Sequence, residues 1–128
     1  MRTSGYVERP DYRVETLRRR NRIRAVAGEI VLAESVRAII VDEQDHALVV
    51  YFPREDVAME RLVRIVGRTT HCPYKGDASY WASIDAPAAP IAWSYETPYP
   101  EVAAIAGHVA FYQETVAIIL GAADAGRL

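Results

Sequence analysis

Apolar and polar residues alternate along most of this chain in short runs with a period of two, and Gly, Pro or acidic residues close each run. From Arg22 to Val26, Ile23 and Ala25 fall on one side, with Arg22 and Arg24 on the other. Ala27-Gly28 is read as a tight turn, after which Glu29 to Ala33 resumes a strand. Arg37 to Val41 and Ala47 to Phe52 are rich in Ile, Val and Leu, and the polar stretch Asp42 to His46 makes a hairpin connection between them. Pro53 ends that strand because it cannot donate to a ladder. Glu55 to Arg64 is predicted as a short helix, and Gly67 to Asp77 as a loop. Ala78 to Ile84 and Ile91 to Tyr95 are predicted strands around a turn stiffened by Pro87 and Pro90. Pro100-Glu101 opens a second short helix ending at Gly107. His108 to Tyr112 reads as a last core strand, with a continuing helix as the rival. The pattern predicts a mainly-β fold of antiparallel hairpins with one or two short helices.

Composition narrows the class without naming a function. The chain has 128 residues, 51% of them hydrophobic and 25% charged. That suits one globular domain, expected over 1-128 with a flexible tail at 1-12, a folded β domain at 13-120 and a frayed end at 121-128. No apolar run reaches the ~18 residues of a membrane span, and no secretory signal opens the chain, so a cytoplasmic location and no membrane partner are expected. One cysteine makes neither an internal disulfide nor a thiolate zinc cluster. Phosphate-loop, dinucleotide-loop, zincin and serine-hydrolase motifs are missing, and the three histidines are far apart. No metal and no cofactor are therefore implied.

Charge is unevenly placed. Residues 1–24 carry eight arginines against three acids, a net of +5, while the remainder carries a net of −7. Fourteen of the fifteen basic residues are arginine, and Lys75 is the only lysine.

The block Thr70-His71-Cys72-Pro73-Tyr74-Lys75-Gly76-Asp77, followed by Tyr80 and Trp81, concentrates reactive and aromatic groups. Cys72 becomes a nucleophile if Lys75, His71 or a His108 brought close by the fold stabilises its thiolate; otherwise it is a small buried hydrophobe. Lys75 offers a compact charge for a phosphate or carboxylate, or a nucleophile once desolvated. Taken as exposed, it would contribute little to stability, so Lys75→Ala would leave the melting temperature nearly unchanged. Alternation puts Trp93 and Tyr95 on one face, and Tyr80 and Trp81 on opposite faces. Lys75 and Cys72 are thus the candidates for catalysis. The candidate ligand-binding residues are Thr70, His71, Tyr74, Gly76, Asp77, Trp81, Trp93, Tyr95 and His108.

Four segments together resemble a bacterial and fungal family of unknown function that is also catalogued as nucleotidyltransferase-like. They are Phe-Pro-x-x-Asp-Val at Phe52 to Val57 and Thr-x-Cys-Pro-x-Lys-Gly running to Tyr-Trp at Thr70 to Trp81. Ala-Trp-x-Tyr-x-x-Pro at Ala92 to Pro98 and Gly-x-Val-x-Phe at Gly107 to Phe111 complete the set. The likeness covers about residues 22–112. It implies a compact β-tent-like fold of two small antiparallel sheets, related in shape to zinc-binding domains whose four cysteines this chain lacks.

Three functions follow. The first is binding of a small anionic or nucleotide-like ligand by loop 70-77 and the aromatic strands 80-95, with catalysis left open. The second is recognition of an acidic partner through the arginine-rich arm 13-24, nucleic acid being the less expected form of it. The third is a structural or interaction domain without a ligand, for which a homodimer is one arrangement.

Overall fold

The computed structural model describes residues 3–121. Ten strands form two antiparallel sheets. In chain order they are β1 (Val14–Arg18), β2 (Ile23–Ala27), β3 (Ile30–Ser35), β4 (Ile39–Glu43), β5 (Val49–Phe52), β6 (Leu62–Cys72), β7 (Gly76–Ser83), β8 (Pro90–Tyr95), β9 (Val109–Phe111) and β10 (Ala117–Leu120). The larger sheet runs β1-β4-β5-β9-β8-β7-β6 and the smaller β10-β2-β3. The fold is mainly β, as the alternation predicts.

Side-chain alternation divides the large sheet into two faces. On one face Val50, Phe52, Ala92, Val109 and Phe111 pack with Ile23, Ala25, Leu32 and Ala33 of the small sheet. On the other, Ile39, Val41, Tyr51, Ala78, Tyr95 and Ala110 meet Val102 and Ile105. Those two side chains come from a 3-10 segment, Pro100–Ile105, the apolar cover of that face among the described residues.

Several elements differ from the sequence expectation, each for a local reason. The loop predicted over Gly67 to Asp77 is mostly ladder: Thr69 pairs with Ser79, Thr70 with Ala78, His71 with Asp77 and Cys72 with Gly76. Only Pro73, Tyr74 and Lys75 turn the hairpin. The pairing register slips between Arg64 and Thr69, and Gly67 (φ 80°) takes up the irregularity with Val66 pushed into solvent. The helix predicted over Glu55 to Arg64 is two single 3-10 turns, Arg54–Asp56 and Met59–Arg61. Between them Val57 is drawn into a bridge with Ala33, and the Ala58 N–H donates to the Leu32 carbonyl at 2.8 Å. The helix predicted from Pro100 to Gly107 is the 3-10 segment, kinked at Val102.

Two strands escape the sequence pattern because they are edges. β1 turns only Val14 and Thr16 partly inward, and β10 has one half-buried residue, Ile118. Residues 5–12, expected as a flexible tail, are docked: the Gly5 N–H donates to the Pro73 carbonyl at 2.7 Å, and Tyr12 stacks on Tyr74 at 3.7 Å between centroids. At the other end Gly121 is tied to the Arg22 carbonyl. The rest of the expected frayed end, 122–128, lies outside the described residues.

Phe52 is fully buried between the sheets, so Phe52→Ala should lower the unfolding free energy by about 3–5 kcal/mol in urea denaturation. Val66→Ala, at a side chain 92% exposed, should stay within about 0.5 kcal/mol of the parent.

Candidate functional site

The incompletely covered face of the large sheet holds a cavity of ≈ 650 Å³. Its walls follow from register. β8 presents Trp93 and Tyr95, β7 presents Tyr80 directly opposite Trp93, and β5 presents Val49 and Tyr51. Tyr112, just past β9, completes the aromatic lining. The rings brace one another: Trp93 Nε1 donates to the Tyr51 hydroxyl at 3.1 Å, Trp93 and Tyr112 centroids lie 5.0 Å apart, and the Tyr80 hydroxyl bonds Thr70 at 2.7 Å. Burial drives the Tyr51 and Tyr95 hydroxyls well above the usual phenol range, so both stay neutral donors.

One end of the cavity is polar. β4 ends on Glu43, and the hairpin turn delivers Lys75 to meet it; each residue is 8% exposed. Lys75 Nζ donates to Glu43 Oε1, and its second partner is Cys72 Sγ at 3.7 Å. Among the described residues the third ammonium hydrogen has no protein acceptor. The other carboxylate oxygen, Glu43 Oε2, accepts from the Tyr12 hydroxyl at 2.6 Å and lies 3.6 Å from His46 Nε2. Burial alone would raise the Glu43 pKa. The hydrogen bonds from Lys75 and Tyr12, with the charges of Lys75 and His46, outweigh it and hold the carboxyl below its ordinary range. Gly76, at φ 114° and tight against Pro98 and Thr97, lets the chain leave the turn there.

A second cavity, ≈ 730 Å³, lies on the other side of the same hairpin. His71 and Asp77 are cross-strand partners there, with Nδ1 2.7 Å from Asp77 Oδ1. His71 Nε2 lies 3.2 Å from the Tyr99 hydroxyl, so the row ties the hairpin to the segment after β8.

The residues singled out from the sequence are therefore divided. Cys72, Lys75, Trp93 and Tyr95 line the aromatic cavity, whereas His71, Gly76 and Asp77 line the second. Thr70 braces Tyr80, and Tyr74 sits under Tyr12. Trp81 faces away: it packs toward the small sheet, donates to Ser94 Oγ at 3.0 Å and lies under the Arg54 guanidinium. Its neighbour Tyr80 occupies the cavity side, and adjacent strand residues cannot share a face. His108 is not beside Cys72, because it precedes β9 at the opposite end of the sheet, among Arg18, Arg19 and Arg20. Sequence reasoning missed Glu43, His46, Tyr51 and Tyr112. Tyr51 was within reach of the alternation in β5, but Glu43 lies in a stretch whose composition reads only as a turn.

The model of the family described as "Domain of unknown function (DUF427)" matches residues 13–121. No curated protein matches the chain.

The buried pair overturns the expectation that Lys75→Ala is silent for stability. Removing the ammonium strands a buried carboxylate, and loss of one partner of such a pair costs about 3–5 kcal/mol. Glu43→Gln should cost a comparable amount at neutral pH. Because folding lowers the Glu43 pKa, its contribution is complete above the unfolded value of 4.5 and is lost as pH falls through the lower folded value. The stability gap between parent and Glu43→Gln, measured by denaturation from pH 7 to pH 3, should therefore shrink with acid. A gap that stays constant would remove the pair as its source.

Proposed function

Since the chain belongs to the family of unknown function DUF427, whose description names no ligand, we propose its ligand class from the cavity itself: a small planar molecule, nucleobase-like or an aromatic carboxylate. The observation that carries this reading is an aromatic lining that ends on a buried lysine with a hydrogen to spare.

The chemistry is complementary to such a ring. Trp93, Tyr80 and Tyr112 are half-buried, so each keeps some of its surface available to a guest. Aromatic surfaces of this kind favour stacked or edge-on contact with a second ring. Desolvation of the guest supplies the affinity, and a few fixed polar groups supply orientation. Lys75 donates to an acceptor on the ring or to its carboxylate, with the Cys72 thiol alongside. Glu43 already neutralises Lys75, so the polar end asks for a hydrogen-bond acceptor more than for a full negative charge. A nucleotide then enters by its base, and its phosphate gains little at this end. Lys75 and Cys72 act here as ligand-holding groups.

A thermal-shift screen read together with tryptophan fluorescence tests the proposal, using adenosine, adenosine monophosphate, indole-3-carboxylate and glucose. Ring compounds should quench Trp93 and, near a hundredfold excess over Kd, stabilise by about 2.7 kcal/mol, a rise of several degrees. Tyr80→Ala and Tyr112→Ala should weaken binding about tenfold. Equal responses to glucose and the ring compounds, or no response to any of them, would sink it.

A further inference from the structure

The aromatic cavity leaves the charge asymmetry of the chain unused. β1 ends on Arg18, and the chain then crosses from the large sheet to the small one through Arg19, Arg20, Asn21 and Arg22. This crossing is pinned. The Arg19 N–H donates to the Ala38 carbonyl at 3.0 Å, Asn21 Nδ2 donates to the Gly121 carbonyl at 3.1 Å, and the Gly121 N–H donates to the Arg22 carbonyl at 2.8 Å. The arginines thus stand on a fixed backbone. Arg18, Arg19, Arg20 and Arg37 line a cleft of ≈ 270 Å³ together with Glu55 and His108.

Four arginines line that cleft against one acidic residue, and Glu55 is already bonded to Arg37 at 2.9 Å, as Asp56 is at 3.3 Å. Elsewhere among the described residues most arginines are partnered; the exceptions, Arg24 and Arg61, stand singly at exposed strand and turn positions. Arg9, Arg13, Arg22 and Arg54 each rest against a carboxylate. Arg64 and Arg68 find neutral partners in Ser79 and the Tyr80 ring. Among the described residues Arg18, Arg19 and Arg20 have no carboxylate, and Arg19 reaches only Asn21 Oδ1 at 3.2 Å. Consecutive like charges repel, and an oxyanion relieves that repulsion while filling the guanidinium forks.

We propose that this cleft is a separate anion site that takes a di- or triphosphate group. Its volume equals roughly nine waters, which suits a compact anion and not a run of nucleotides. His108 is the one ring that lines it and no Phe, Tyr or Trp does, so it lacks the row of aromatic platforms along which successive bases stack. It is also remote from the aromatic cavity. Arg37 precedes β4 and Glu43 ends it, about 20 Å away at the rise of an extended strand. One mononucleotide cannot occupy both.

Isothermal titration of the full chain with inorganic pyrophosphate, at low and at physiological salt, tests the proposal. The expected result is saturable binding to one site that weakens as salt rises. The double variant Arg18→Ala/Arg20→Ala should lose about tenfold or more in affinity. Arg22→Ala, whose guanidinium pairs with Glu34 outside the cleft, should change it by less than about twofold. Arg18→Lys/Arg20→Lys keeps the charge and guards against a folding defect, and the loss of the forks should still cost about threefold. Absence of saturable binding at low salt, or an equal loss from Arg22→Ala, would overturn the site. Tighter binding of a twelve-residue oligothymidylate than of pyrophosphate would overturn the compact ligand in favour of a nucleic-acid backbone.

Discussion

A seven-stranded antiparallel sheet with apolar side chains on both faces has to cover both, and the described residues cover one far more completely than the other. The three-stranded sheet seals the face carrying Phe52 and Phe111. Against the opposite face, among the described residues, stand Val102 and Ile105 from one 3-10 segment and, at the polar end, Tyr12 of the docked N-terminal stretch. What remains open is surfaced by Tyr80, Trp93 and Tyr112 over the buried Tyr51, and these three tolerate partial exposure because each has a polar tip. The cavity is thus a consequence of incomplete covering. The same side chains that finish the core at one end form binding surface at the other.

The buried Lys75–Glu43 pair closes this arrangement at its polar end. Such pairs contribute little net stability when replaced by apolar groups, but they punish removal of one partner and specify which elements meet. Here the pair joins the turn after β6 to the end of β4, strands at nearly opposite edges of the sheet. Tyr12 adds the docked N-terminal segment to the same carboxylate. Three distant parts of the chain therefore converge on one side chain. Backbone pairing along the sheet does not by itself bring these edges together, so the pair is also a curvature constraint.

The alternation of β6 and β7 sorts chemistry between two surfaces. Cys72 and Tyr80 belong to the aromatic side, and His71 and Asp77 to the other, although they are adjacent or nearly adjacent in sequence. The reactive-looking block is therefore two half-sites back to back. At the far end of the strands the arginines form a third electrostatic environment, separated from the polar end of the aromatic cavity by the length of β4.

The mainly-β class, β2 to β5, β8 and β9, and the shared face of Trp93 and Tyr95 were legible because a period of two is a local property of the chain. So was the prominence of Lys75, since a lone lysine among arginines is visible in composition alone. β1 and β10 were hidden because an edge strand buries few side chains and leaves a weak apolar signal. The ladder through Thr69 to Cys72 was hidden because its residues are polar and Pro73 and Gly76 read as loop markers. That Glu43 meets Lys75, that Tyr12 leans on Tyr74, and that His108 lies far from Cys72 were decided only by tertiary structure. Those pairings depend on strand order across the sheet, and strand order is a long-range choice that no local pattern encodes.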